Sequence, residues 1–78
     1  MRQLPIHGDH ITLGQLLKLA GFVSTGGEVK YLLMETTIRV NGQTDNRRGR
    51  KLYPGDTVSV EGQDPVRVVS EGTREEAG

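Results

Sequence analysis

The chain has 78 residues, room for one domain, and no cysteine, which excludes disulfide staples and thiolate sites alike. Leu, Ile, Val and Phe make up about a quarter of it, enough for a small folded core, and no apolar run approaches the roughly 18 residues of a membrane span. The formal net charge is zero but unevenly divided: residues 18–51 hold seven bases against three acids, a net of +4, and residues 52–78 hold two bases against six acids, a net of −4.

The first residues read as a short extended stretch in which Pro5 removes a ladder donor, so a strand there belongs at a sheet edge. They lack a signal peptide's continuous apolar stretch, and the expected location is the cytoplasm. Gly8-Asp9 marks a turn. Thr12-x-x-Gln15 has the spacing of a capping box, and Leu13, Leu16, Leu17 and Ala20 follow as one apolar stripe, closed by Gly21. Thr25-x-x-Glu28 repeats the capping spacing for a second helix whose apolar face is Val29, Leu32 and Leu33, with Lys30 and Tyr31 off that stripe. The short linker makes the two helices a compact pair.

Residues 36–40 switch to a period of two, with Ile38 and Val40 on one face, and Asn41-Gly42 is a turn dipeptide able to take positive φ at both positions. Residues 45–51 carry no apolar side chain and read as a solvent loop; 52–56 read as a turn, 57–60 and 66–69 as strands. From Ser70 onward there is no apolar periodicity. The expected organisation is a single domain over 1–69 and a disordered tail over 70–78. The fold class is α+β, two packed helices on a small, mostly antiparallel sheet.

Arg47-Arg48-Gly49-Arg50-Lys51 places four cations in five residues with no acid between 46 and 55. Arginine's planar fork matches phosphate oxygens, and a glycine lets a backbone come close to a ligand. Thr25-Gly26-Gly27 opens the second helix, where free amides and a partial positive charge suit an anion, and Lys30 adds a full charge one turn later. Each feature also has a plain reading, a solvated charge run and an ordinary capped turn. The spacing of a Walker A loop is absent. His7-x-x-His10 is better read as surface histidines than as a metal site, and no nucleophile with an ordered base is recognisable, so no catalytic group, metal or cofactor is expected.

The stretches 11–19, Thr25-Gly26-Gly27-Glu28-Val29-Lys30, Val40-Asn41-Gly42, Asn46-Arg47-Arg48-Gly49-Arg50-Lys51-Leu52 and Gly55-Asp56-Thr57-Val58 together resemble one family, from about residue 2 to 69. It is the RNA-binding domain named after small-subunit ribosomal protein S-four, the αL motif, and more narrowly its short stand-alone bacterial branch, the YaaA/YbcJ-like proteins. The resemblance implies a non-enzymatic, monomeric protein that meets structured RNA, ribosomal or transfer-RNA-like, with the ribosomal subunit as the larger partner. It implies contacts at Lys18, Thr25, Gly26, Gly27, Lys30, Arg47, Arg48, Arg50 and Lys51. Tyr31, the one aromatic side chain near that face, joins the set. Relatives often carry this module beside a catalytic domain; none is visible here, so no chemistry is inherited. A cationic loop reads phosphate and shape rather than bases.

Two alternatives come from other classes. Val40-Asn41-Gly42 with Leu52-x-x-Gly55-Asp56-x-Val58 is also similar to ubiquitin-like sulfur carriers, which act through a carboxy-terminal Gly-Gly. This chain ends Glu76-Ala77-Gly78 and has the wrong helix arrangement before the sheet. The other is a protein-interaction module without RNA binding.

Overall fold

The computed structural model describes residues 1–71. In chain order it has β1 (Arg2–Ile6), β2 (Ile11–Thr12), α1 (Leu13–Leu19), α2 (Gly26–Glu35), β3 (Ile38–Val40), β4 (Gln43–Thr44), β5 (Lys51–Leu52), β6 (Thr57–Val60) and β7 (Val66–Ser70).

Both helices begin at the capping boxes read from the sequence. Thr12 Oγ1 accepts the Gln15 amide at 3.2 Å while Gln15 Oε1 accepts the Thr12 amide at 2.9 Å. Thr25 Oγ1 likewise accepts the Glu28 amide at 3.3 Å, and Glu28 Oε1 accepts the amides of Thr25 at 3.1 Å and Ser24 at 2.6 Å. Each box satisfies amides that the first helical turn leaves without an internal acceptor. α1 stops at Gly21, whose φ of 85° a side chain would resist.

A five-stranded sheet runs in the order β1-β7-β6-β3-β4, and β2 pairs with β5 in a separate two-stranded ribbon. β1 pairs in parallel with β7 at the edge, where Pro5 is tolerated, and the other pairs are antiparallel. Asn41 (φ 52°) and Gly42 (φ 86°) form the two-residue turn between β3 and β4, with Val40 opposite Gln43. Alternation along the strands buries Ile38, Val40, Val58, Val60, Val66 and Val68, leaving Arg39 and Arg67 exposed on the other face. Leu13, Leu16, Leu17, Ala20 and Val29 complete one continuous core from the helical side.

Four expectations are corrected. Leu32 and Leu33 flank Val29 and are only half-buried, because Val29 alone points squarely into the core. Thr36 caps α2, donating its amide to Leu32 O at 3.0 Å, so the strand begins at Ile38. Leu52 belongs to a strand and is fully buried, not part of a turn. Ser70 closes β7 and the Glu71 amide donates to Ile6 O at 3.1 Å, so the ordered chain passes the expected boundary at 69; the rest of the expected tail lies outside the described residues.

Leu17→Ala, at a fully enclosed site, is expected to cost about 2–5 kcal/mol. Leu32→Ala is expected to cost less, since part of its surface is already in water. Urea denaturation of the two variants checks the order; equal losses would place Leu32 in the core after all.

Candidate nucleic-acid interface

The cationic loop is built into the fold rather than draped over it. The first two amides of α1 donate to its carbonyls: Leu13 N–H to Arg50 O at 2.8 Å and Gly14 N–H to Arg48 O at 2.9 Å. With the Thr12 hydroxyl taking the third and Gln15 Oε1 the amide of Thr12 itself, all four amides that the helix start leaves open are satisfied. Position 14 packs directly under the loop: a Cβ there would stand in ordinary van der Waals contact, 3.4 Å from Arg48 O and 3.6 Å from Val29 Cγ1.

A second anchor is Asp45, whose side chain is only 7% exposed. Its Oδ1 accepts the Arg47 amide at 3.0 Å and Arg47 Nε at 3.1 Å; its Oδ2 accepts Arg47 Nη2 at 2.9 Å and Arg50 Nη1 at 2.6 Å. The Arg47 guanidinium and amide, and then Arg50, hold the Asp45 carboxyl well below the usual carboxylate range, and Asp45 in turn raises the Arg47 guanidinium. This revises the picture of a free solvent loop. Two of its four cations are held by a carboxylate two residues before the run, Arg47 by a fork and Arg50 by a single bond.

Arg48 is placed differently. It makes no ion pair among the described residues, and its guanidinium lies against the start of α2: a Cβ at Gly26 would be 3.7 Å from Arg48 Nη2. Arg48 and Lys30 line one open cleft of about 620 Å³ together with Asn46, Leu33 and Met34. Helical spacing explains the grouping, because Gly26, Lys30, Leu33 and Met34 recur at three and four residues on one flank of α2. Lys18 follows Gly14 by four residues on α1, on the strip that faces the loop.

The other candidates stand apart from the cleft. Thr25 is occupied as a helix cap, Gly27 follows Gly26 in the first turn, and Lys51 pairs with Thr12 in the two-stranded ribbon. Lys51 stands near Asp9, whose carboxyl is lowered chiefly by its hydrogen bond with His10 at 2.8 Å and to a lesser degree by Lys51. Tyr31 lies on the opposite flank of α2, in a different groove. His7 and His10 turn to different carboxylates, Glu71 at 3.1 Å and Asp9 at 2.8 Å. Asn46 and Asp45 were missed. Asp45 had a signal, since an Asp two residues before a backbone amide is the pattern of an Asx turn.

Two capped helices joined by a short turn, and a cationic loop bonded to the first of them, define the architecture that the αL resemblance requires. The chain belongs to the S4 domain family, whose model matches residues 4–69. It is 49% identical over 67 residues to the "Probable ribosome maturation protein RlbA" of Bacillus subtilis, covering 86% of this chain and 94% of that one. It is 36% identical over 61 residues to the "Putative RNA-binding protein YbcJ" of Escherichia coli, covering 78% of this chain and 86% of the relative.

The Asp45 grip generates a pH prediction with a definite sign. A carboxyl lowered in the folded state stabilises fully above its ordinary value of 3.8 and progressively less as pH falls below it. Asp45→Asn is therefore expected to lower stability by a constant amount from pH 7 to about 5, with the gap to the natural protein narrowing below about pH 4. Urea titrations across that range measure it, and a gap that persists undiminished at pH 3 would rule the carboxylate out as the anchor.

Proposed function

We propose that this protein binds structured RNA, on the ribosome or during its maturation, through phosphate contacts on the face formed by α1, α2 and the loop at 45–51. The observation that carries the reading is the pairing of Lys30 with Arg48 in one cleft, neither with a carboxylate partner among the described residues. The Arg48 guanidinium sits against Gly26, at the positive end of α2, where the first-turn amides have no intrahelical acceptor. Like charges so arranged repel one another unless an anion lies between them. A backbone phosphate there meets a guanidinium, an ammonium and helix amides at once.

The printed names of the two relatives, one a ribosome maturation protein and one an RNA-binding protein, point the same way. Among the described residues no helix is long and apolar enough to cross a membrane. The reading is of a cytoplasmic, non-enzymatic protein whose work is binding. Arg48, Lys30, Lys18 and Lys51 supply mobile charge; Arg47 and Arg50, held by Asp45, shape the loop and present their remaining donors.

With four free cations engaged, log affinity for a folded ribosomal RNA fragment is expected to fall against log salt with a slope on the order of −3 to −4. Arg48→Ala and Lys30→Ala should each lower affinity and reduce the slope by about one, with the melting temperature unchanged. Arg48→Lys should recover only part of the affinity, because the planar fork is lost. Arg47→Ala and Arg50→Ala should lower the melting temperature as well as affinity. A flat salt response in the natural protein would end the RNA reading.

A further inference from the structure

We propose that the flank of α2 facing away from Lys30 is a docking groove for a basic, partly apolar segment of a protein partner. Glu28, Tyr31, Leu32 and Glu35 recur there at spacings of three and four, so they form one strip of the helix. Half-buried Phe22, Val23 and Leu32 floor the groove, which has a volume of about 380 Å³. Tyr31 stands over it with 66% of its surface in water. An aromatic ring of this kind, apolar on its faces and polar at its tip, is a common anchor of protein interfaces.

Charge selects the occupant. Glu28 and Glu35 rim the groove and no basic side chain lines it. Glu28 commits one oxygen, Oε1, to the helix cap, and Glu35 makes no ion pair among the described residues. A nucleic-acid backbone would meet two carboxylates here and is repelled; a segment carrying Arg or Lys between apolar side chains is attracted on both counts. The chain already shows how such a cation is received. Its own Arg2 lies 5.6 Å from the centre of the Phe22 ring and donates to Ala20 O at 2.7 Å. The groove therefore takes Tyr31 out of the RNA face and gives α2 two flanks of opposite charge.

The test uses the full chain, isotope-labelled for NMR, titrated with three probes: a 12-residue peptide of Leu, Lys and Arg, the matching peptide of Leu and Glu, and a folded RNA hairpin. The basic peptide is expected to shift the amides of Phe22, Val23, Tyr31, Leu32 and Glu35 and to leave Lys30 and Arg48 in place, while the acidic peptide shifts none of them. Tyr31→Ala should weaken the basic peptide about tenfold, and Glu35→Gln about two- to fivefold. Both variants should keep the natural melting temperature and RNA affinity. The proposal is overturned if the RNA hairpin moves Tyr31 together with Lys30, if the acidic peptide binds as well as the basic one, or if Tyr31→Ala leaves peptide affinity intact. The RNA arm is separate: a hairpin that shifts nothing undoes the proposed function and leaves the groove standing.

Discussion

Asp45 is the constraint on which the proposed RNA-binding face depends. A carboxylate with 7% of its side chain exposed must be compensated by donors, and here the donors are the Arg47 amide and two guanidinium groups. That requirement turns a stretch with no apolar side chain, 45–50, into a defined turn. The turn in turn aims its carbonyls at the open amides of α1. Remove the carboxylate and the cations of the loop would repel one another with nothing to gather them. The loop's net positive charge is therefore what an internal neutralisation leaves over, and among the described residues its unpaired charge lies at Arg48 and Lys51.

The helices divide their labour by angle. On α2 a single residue, Val29, is driven fully into the core, which leaves both flanks of a ten-residue helix at the surface. One flank carries Lys30 beside the loop, the other Glu28 and Glu35 beside Phe22. Rotation of one residue, about 100°, moves a side chain from one environment to the other. This is why neighbours in sequence such as Lys30 and Tyr31 line different grooves, and why a charge sum over a segment is a poor map of a helix.

Much of the fold was legible because its signals are local. Thr12-Gln15, Thr25-Glu28 and Asn41-Gly42 each specify a cap or turn through atoms within four residues, and each formed as read. The site was legible only as a composition. Four cations in five residues mark the loop that we propose meets RNA, but which of them are free depends on a carboxylate just upstream and on where two helices lie, and that is tertiary information. Leu32 failed for the same reason: its spacing is right for a core stripe, yet of the α2 side chains only Val29 is enclosed in the core, and Leu32 packs against its edge. Leu52 looked like a turn residue because Tyr53-Pro54-Gly55 follows it, and it became core because β2 pairs across it at Ile11.

The parallel pairing of β1 with β7 carries a kinetic consequence. Arg2 lies opposite Val66, so this ladder joins residues separated by nearly the whole described chain. The capped helix pair and the β3–β4 hairpin, by contrast, close over short loops. Loop-closure entropy must be spent before a distant pairing returns anything, so the edge strand is expected to dock after the barrier has been crossed. Mutations in β1 should then speed unfolding while hardly slowing folding, which a chevron analysis of Ile6→Val would register as a φ-value near zero. Lys30 lies in the helix pair that closes over a short loop, whereas Arg48 reaches α1 at Gly14 only across 34 residues of chain.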